Sequence, residues 1–291
     1  MTRLRAYAFA GCSNLTTISF PQCSYIGNNA FENCYSLTSI SFPVCSRIES
    51  YAFLDCSNLT MANFPVCSYI GKNAFYHCHS LTTVSFPVCN YIEDDAFAYC
   101  YNSLTSANFP ECSYMGRGAF AGCHNLTIAS FPKCSHIRSY AFGGCSSLTS
   151  ISFPICSYIE NEAFANCYKL TTISFPVCSY IGESAFRYCT KLTSVNFPVC
   201  SYIGSSAFYG CYNLTTISCP QCSYIGSSAF YYCDSLTTIY LDQTSSVCSL
   251  LNNNAFSYCP KLTSIYVPNS LVTAYKNHSQ WSYYSNKIIG I

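Results

Sequence analysis

Apolar residues recur along the chain at fixed intervals, in a unit typified by the segment from Leu15 to Cys34: Leu-Thr-Thr-Ile-Ser-Phe-Pro-Gln-Cys-Ser-Tyr-Ile-Gly-Asn-Asn-Ala-Phe-Glu-Asn-Cys. The Phe of its Ala-Phe pair falls at 9, 31, 53, 75, 97, 120, 142, 164, 186, 208, 230 and 256. The step is 22 residues, broken by a one-residue insertion near Asn102-Ser103 and a four-residue insertion within Asp242 to Ser246. Self-similarity at this period predicts a solenoid, in which each coil buries its apolar face only by stacking on its neighbours. Within the unit, period-two alternation predicts a short parallel strand from Thr17 to Phe20, with Ile18 and Phe20 inward and Thr17 and Ser19 outward. Pro21 ends it, because proline cannot donate to a ladder. Ile26, Ala30, Phe31 and Cys34 form the return, whose apolar spacing suits an irregular turn followed by one helical or 3₁₀ turn.

Leu15 to Cys23 is similar to the leucine-rich-repeat frame L-x-x-L-x-L-x-x-[N/C]. Phe20-Pro21, Ile26-Gly27, Ala30-Phe31, Cys34 and Leu37-Thr38, with their equivalents through Cys259, resemble the BspA-type (Treponema-type) leucine-rich repeats of bacterial surface proteins and some protozoan parasites. The chain departs from that family in a slightly shorter unit and in a Cys at 23, 45, 67 and onward. The expected fold is an α/β solenoid. It is a right-handed leucine-rich-repeat coil with one parallel β-sheet on a concave face, irregular or short-helical returns and a small helical C-terminal cap. The array is expected over residues 1–268 and the cap over 269–291, where Asn269 or Ser270 can cap a helix carrying Leu271, Val272 and Tyr275. Trp281, Tyr284, Ile288 and Ile289 supply apolar surface to close the last coil.

Composition narrows the field. Half the residues are hydrophobic and 9% are charged, yet no run of about 18 apolar residues exists, so no membrane insertion is expected. A net charge of +1 without a basic cluster argues against nucleic acid. Met1 to Arg5 lacks the apolar stretch of a signal peptide and leads straight into the array. The chain therefore reads as a fragment of a longer cell-surface or secreted protein. Its uncapped first coil leaves fraying, a weak head-to-head homodimer or an upstream capping segment as the expected outcomes.

Cysteine, at 24 residues, forms two rows, one after Ala-Phe and one after Phe-Pro-x. Like residues in successive coils stack about 4.8 Å apart with parallel side-chain vectors, whereas a disulfide needs Cβ atoms about 3.8 Å apart. Thiols acting as small buried hydrophobes are therefore expected. The single C-x-x-C, Cys219 to Cys222, has Cys219 in a core Phe slot, which argues against a redox motif. His77 and His79, with Asp55 one coil earlier, occupy variable turn positions, and solvated side chains are expected there rather than a metal. Lys72, Asp94 and Arg117 read as a surface ion-pair ladder. The Asn-Leu-Thr sequons at Asn14, Asn58, Asn125 and Asn213 follow from the fixed Leu-Thr of the repeat. No nucleophile sits beside a base, so no enzyme, catalytic residue, metal or cofactor is expected.

The informative excess is tyrosine, 27 in all. The row Tyr25, Tyr69, Tyr91, Tyr114, Tyr158, Tyr180, Tyr202 and Tyr224, interrupted by Arg47 and His136, predicts a structural ring stack. Other aromatics scatter over variable positions around the Ala-Phe-x-x-Cys turn. Tyr76, His77, His79, Tyr99, Tyr101, Tyr188, Tyr209, Tyr212, Tyr231, Tyr232 and Tyr258 are the candidate ligand-binding residues, since exposed rings give contact area at low entropy cost. The strand rows, nearly uniform in Ser, Thr and Asn, carry little address. The expected function is a non-enzymatic recognition or adhesion module for a surface protein or glycan of a host or neighbouring cell. The alternative is a structural spacer or self-assembling stalk.

Overall fold

A computed structural model describes residues 2–291; Met1, the first residue of the expected array, lies outside them. Packing divides the chain into two units, Met1–Phe153 and Pro154–Ile291. Each is a stack of the coils expected from the repeat.

The predicted strands form. In the first unit Thr17–Ser19 pairs in parallel with Ser39–Ser41, Ile18 lying opposite Ile40. Met61–Asn63 pairs with Thr83–Ser85, and Ser106–Asn108, Ile128–Ser130 and Ser150–Ser152 pair in turn. In the second unit Ser194–Asn196, Thr216–Ser218, Thr238–Tyr240 and Ser264–Val267 do the same. Every register is offset by one coil, so like stacks on like. The threonine of Leu-Thr adds a hydroxyl ladder: Thr60, Thr82 and Thr149 each donate Oγ1 to the threonine carbonyl one coil earlier, at 3.2, 2.8 and 3.1 Å.

The return differs from the expected irregular segment in two ways. First, its Tyr-Ile pair is a second parallel ladder. It runs through Cys23–Ile26, Arg47–Ile48, Tyr69–Ile70, Tyr91–Ile92 and Tyr114–Met115 in the first unit. In the second it runs through Tyr158–Ile159, Tyr180–Ile181, Tyr202–Ile203, Tyr224–Ile225 and Ser249–Leu250. Second, the Ala-Phe-x-x-Cys segment is no helical turn. Asn29 and Asn33 adopt φ of +56° and +59°, which turns alternate N–H groups toward the next coil. Asn29, Phe31 and Asn33 donate to the carbonyls of Ser50, Ala52 and Leu54 at 3.0, 2.8 and 2.9 Å. Glu32 and Cys34 close tight turns on Asn29 and Phe31.

The core is aromatic. Phe31, Phe53, Phe75 and Phe97 stack at centroid spacings of 5.1 Å. A second column, Phe42, Phe64 and Phe86, meets the first edge-on, as Phe75 meets Phe86 at 69° and 5.9 Å. Stacking along each column and edge contacts between columns satisfy the ring quadrupoles together. In the second unit Phe164, Phe186, Phe208, Phe230 and Phe256 continue the first pattern at 5.2–5.3 Å. The other column changes after Phe197 to Cys219, Leu241 and Val267, all fully buried.

The tyrosine row stacks as expected, with Tyr91 on Tyr114 at 4.1 Å and Tyr180 on Tyr202 at 4.6 Å. Where Arg47 interrupts it, a planar guanidinium takes the place of a ring, 3.5 Å from the Tyr69 centroid. The cysteines stand as thiols. Each row caps a carbonyl: Cys56 and Cys78 donate Sγ–H to Phe31 and Phe53 of the preceding coil at 3.2 and 3.3 Å, and Cys45 and Cys67 to the carbonyl two residues ahead at 3.3 and 3.2 Å. Asp94, expected in a charge ladder, accepts the backbone N–H of Arg117 at 2.8 Å.

At the C-terminus a 3₁₀ turn, Asn269–Leu271, precedes a short helix, Val272–Asn277. Leu271 stands at its N-cap and no side chain caps it, because Asn269 and Ser270 are drawn into the 3₁₀ turn. Trp281 Nε1 donates to the Cys248 carbonyl at 2.6 Å, and the Tyr275 hydroxyl accepts the Cys248 N–H at 2.9 Å. Ile288–Gly290 then adds a strand to Ser264–Val267.

Candidate functional site

The residue before the second cysteine of each coil holds a left-handed backbone, with φ between +56° and +77° along the row. Only glycine, and to a lesser degree Asn, Asp and His, occupies this region readily. Eight coils comply, with Gly11, Gly122, Gly144, Gly210, Asn33, Asn166, Asp55 and His77. The other four carry Tyr99, Tyr188, Tyr232 and Tyr258, where a bulky side chain costs about 1–2 kcal/mol each. All four, with His77, are among the residues singled out from the sequence. The same backbone conformation recurs in a second row, where Tyr7, Tyr51 and Tyr140 also stand at φ near +60°; what sets the first row apart is that its rings meet one another.

The geometry then sorts the candidates into two groups, one in each unit. In the first unit Tyr76, His77, His79, Tyr99 and Tyr101 form one aromatic cluster. Tyr76 meets Tyr99 edge-on at 5.3 Å, and His79 stacks on Tyr101 at 5.2 Å. Sequence reasoning passed over His124, which stacks on the other side of Tyr101 at 5.0 Å; its place one coil beyond Tyr101 was the available signal. The imidazoles are held by their Nδ1 atoms. His79 and His124 donate to the carbonyls of Tyr99 and Gly144 at 3.0 and 2.8 Å, and His77 lies 3.1 Å from the Asp55 carboxylate. The Tyr99 ring lies over Gly122, where an added Cβ would come within 2.6 Å of it.

In the second unit Tyr188, Tyr209, Tyr231, Tyr232 and Tyr258 form a continuous patch. Tyr209 stacks on Tyr231 at 5.4 Å and meets Tyr188 edge-on at 5.5 Å, and Tyr232 contacts Tyr258 at 4.8 Å. Arg187 lies over the Tyr188 ring at 4.9 Å. Tyr212 stands exposed beside this patch. Desolvation raises the pKa of the Tyr76, Tyr101, Tyr209 and Tyr212 phenols, so at neutral pH they remain hydrogen-bond donors. The patch runs into a cleft of about 760 Å³ between the last coil and the closing segment, lined by Tyr232, Asp234, Tyr258, Tyr283, Tyr284 and Lys287 among others. The sequence assigned Tyr284 to packing and did not single out Tyr283, Asp234 or Lys287, because nothing local ties residues near 285 to a turn near 232.

Chemistry beyond binding has little to build on. Among the described residues no group of three or more His, Cys, Asp or Glu side chains is placed to hold a metal. The C-x-x-C cysteines join Cys248 in a fully buried trio of hydrogen-bonded thiols, whose mutual bonds hold Cys222 well below the ordinary thiol value and push Cys219 and Cys248 above it, at a place closed to solvent. In the ladders, burial pushes Cys45, Cys67, Cys89 and Cys178 up to about 12, and these four stand far from the depressed values that make a cysteine reactive. No helix among the described residues is long and apolar enough to cross a membrane.

Stacked coils, a one-coil register and a buried Phe, Cys, Ile and Leu ladder define a leucine-rich-repeat protein. The family model for the BspA type leucine rich repeat region matches residues 1–103, 90–199 and 157–285, and the chain belongs to that family. No curated protein matches its sequence. Among solved structures it is similar to a leucine rich cell surface protein from Faecalibacterium prausnitzii, at 24% identity, a TM-score of 0.50, and coverage of 96% of this chain and 78% of that one. It is also similar to the pneumococcal vaccine antigen PcpA, at 19% identity, a TM-score of 0.58, and coverage of 100% and 84%. At these identities the likeness is one of fold.

Proposed function

We propose that this chain is a non-enzymatic recognition module, carried on or secreted from a microbial cell, which binds a surface protein or glycan of a host or neighbouring cell through its aromatic turn edge. Residues 1–268 are its repeat array and 269–291 its cap. One observation carries the reading: bulky tyrosines recur at a backbone position that disfavours them, and there they join neighbouring rings in continuous aromatic patches. The Faecalibacterium structure, described as a cell surface protein, supports the location. The test is binding to immobilised extracellular-matrix proteins and cell-surface extracts, comparing the native chain with Tyr99→Asn and Tyr188→Asn. Saturable binding weakened at least about tenfold by either variant is expected, as for aromatic anchors generally. Binding of equal strength in both variants would refute the edge.

A further inference from the structure

The cleft at the end of the second unit differs from the rest of the edge because it is concave, and the rings at its mouth are bare. Tyr283 is 70% exposed, Tyr258 61% and Tyr232 37%, against 4% for Tyr284 at the back. Large apolar faces left in water at the wall of a concavity are what a ligand covers. Tyr258 also holds a left-handed backbone, at φ +56°, so its ring stands there against local preference. The polar lining is balanced, with one carboxylate on Asp234 and one ammonium on Lys287. Lys287 Nζ donates to the Leu262 carbonyl, which fixes its position and leaves two of its three N–H groups to donate elsewhere.

We propose that this cleft binds a neutral oligosaccharide, with Tyr258 and Tyr283 as stacking platforms and Asp234 and Lys287 as partners of its hydroxyls. A pyranose ring offers a face of weakly positive C–H groups, which suits the negative face of a phenol ring, and a rim of hydroxyls that both donate and accept. Asp234 supplies an acceptor and Lys287 a donor, matching that rim. A cationic ligand, which an aromatic cage would otherwise suit, meets the Lys287 ammonium; an anionic one meets the Asp234 carboxylate. A cleft of 760 Å³ lies well inside the range of about 300–1,000 Å³ for small-ligand sites. The assignment rests on the recognition reading above and names its ligand class at this one place.

The experiment probes an array of neutral and acidic oligosaccharides with the native chain and measures the best neutral hit by calorimetry. Variants are Tyr283→Ala, whose ring is mostly exposed, and Tyr258→Asn, which suits the left-handed backbone, with Tyr35→Ala, an exposed ring outside both aromatic groups, as control. The expected result is selection of neutral glycans, at least about tenfold weaker binding in either cleft variant, no change in the control and no competition by tetramethylammonium. Failure of every neutral glycan to bind, binding indifferent to both cleft variants, or displacement by tetramethylammonium would overturn the assignment. If matrix or cell-surface binding persists undiminished in Tyr283→Ala while no saccharide binds, the cleft assignment falls and edge recognition stands.

Discussion

Tyr232 and Phe230 lie two residues apart in one turn and do opposite work. Phe230 is fully buried between Phe208 and Phe256, while Tyr232 is exposed on a left-handed backbone. Removing a ring from the column opens a cavity between neighbouring coils, so Phe186→Ala, at an equivalent position between Phe164 and Phe208, should destabilise by about 3–5 kcal/mol. Tyr232→Asn gives up ring contacts with Tyr209, Tyr231 and Tyr258, each worth about 0.5–1.5 kcal/mol at most for exposed rings, and relieves a backbone strain of about 1–2 kcal/mol. The two largely offset, so its urea midpoint should move far less than that of Phe186→Ala, with the main loss in binding. Comparable destabilisation by both substitutions would contradict this division of roles. The cysteines offer a second check at this scale. Cys12 is exposed and the other cysteines are buried, so at pH 8 a thiol reagent should modify Cys12 promptly in the native chain and all 24 only after denaturation. Prompt reaction of many thiols in the native state would disprove their burial.

At the scale of the turn, the row of left-handed residues works with the coil that follows. Tyr188 projects over Gly210, where a Cβ would come 2.5 Å from its ring, and Gly210 itself has φ +70°. Glycine at that place therefore serves its own turn and the ring of the preceding coil. Gly210→Ala should strain the backbone by about 1–2 kcal/mol and tilt Tyr188 off its seat. The expected outcome is a lower thermal midpoint with a changed near-ultraviolet circular dichroism of tyrosine. A variant with native spectrum and stability would show that the ring does not rest there. The Tyr-Ile ladder is robust by comparison, because Arg47 enters the tyrosine stack through a cation–π contact of 3.5 Å, and such contacts are worth about 0.5–2 kcal/mol.

Across the molecule the thiol ladders couple stability to alkaline pH. In the unfolded chain a cysteine titrates near 9.0, whereas burial raises Cys45, Cys67, Cys89 and Cys178 to about 12. Below pH 9 both states hold their protons and these groups leave stability unchanged. Between about pH 9 and 12 the unfolded state loses protons that the folded state keeps, so stability falls as pH rises. The buried phenols of Tyr275 and Tyr284, also raised to about 12, act in the same direction. Urea midpoints should be flat from pH 6 to 8 and fall steeply from pH 9 to 11, less so when Cys45 and Cys67 are replaced by Ala. A flat profile through pH 11 would show that the thiols are not kept protonated by the fold.

The period, the inward rows of Phe, Ile, Leu and Cys, the tyrosine stack and the variable aromatic positions were all legible in the sequence, because each is a pattern that one coil repeats and stacking preserves. Ile18 and Phe20 pointed inward on alternation alone, and Tyr91 fell on Tyr114 because a one-coil register stacks like on like. The second ladder was not legible: two-residue strands such as Tyr69–Ile70 have no alternation to read, and the bonds that make them strands come from the coils before and after. The Ala-Phe-x-x-Cys segment read as a helical turn because spacing does not reveal the sign of φ, which Asn29 and Asn33 owe to N–H groups reaching for the next coil. The C-terminal cleft joins Tyr232 and Asp234 to Tyr283 and Lys287, some fifty residues away in the chain. The chain alone thus determined which side chains repeat and which vary. Where the varying ones meet, and that Tyr258 and Tyr283 border a concave site, depended on how the closing segment packs, through Trp281 on Cys248 and Tyr284 on Asn253, contacts that no local pattern encodes.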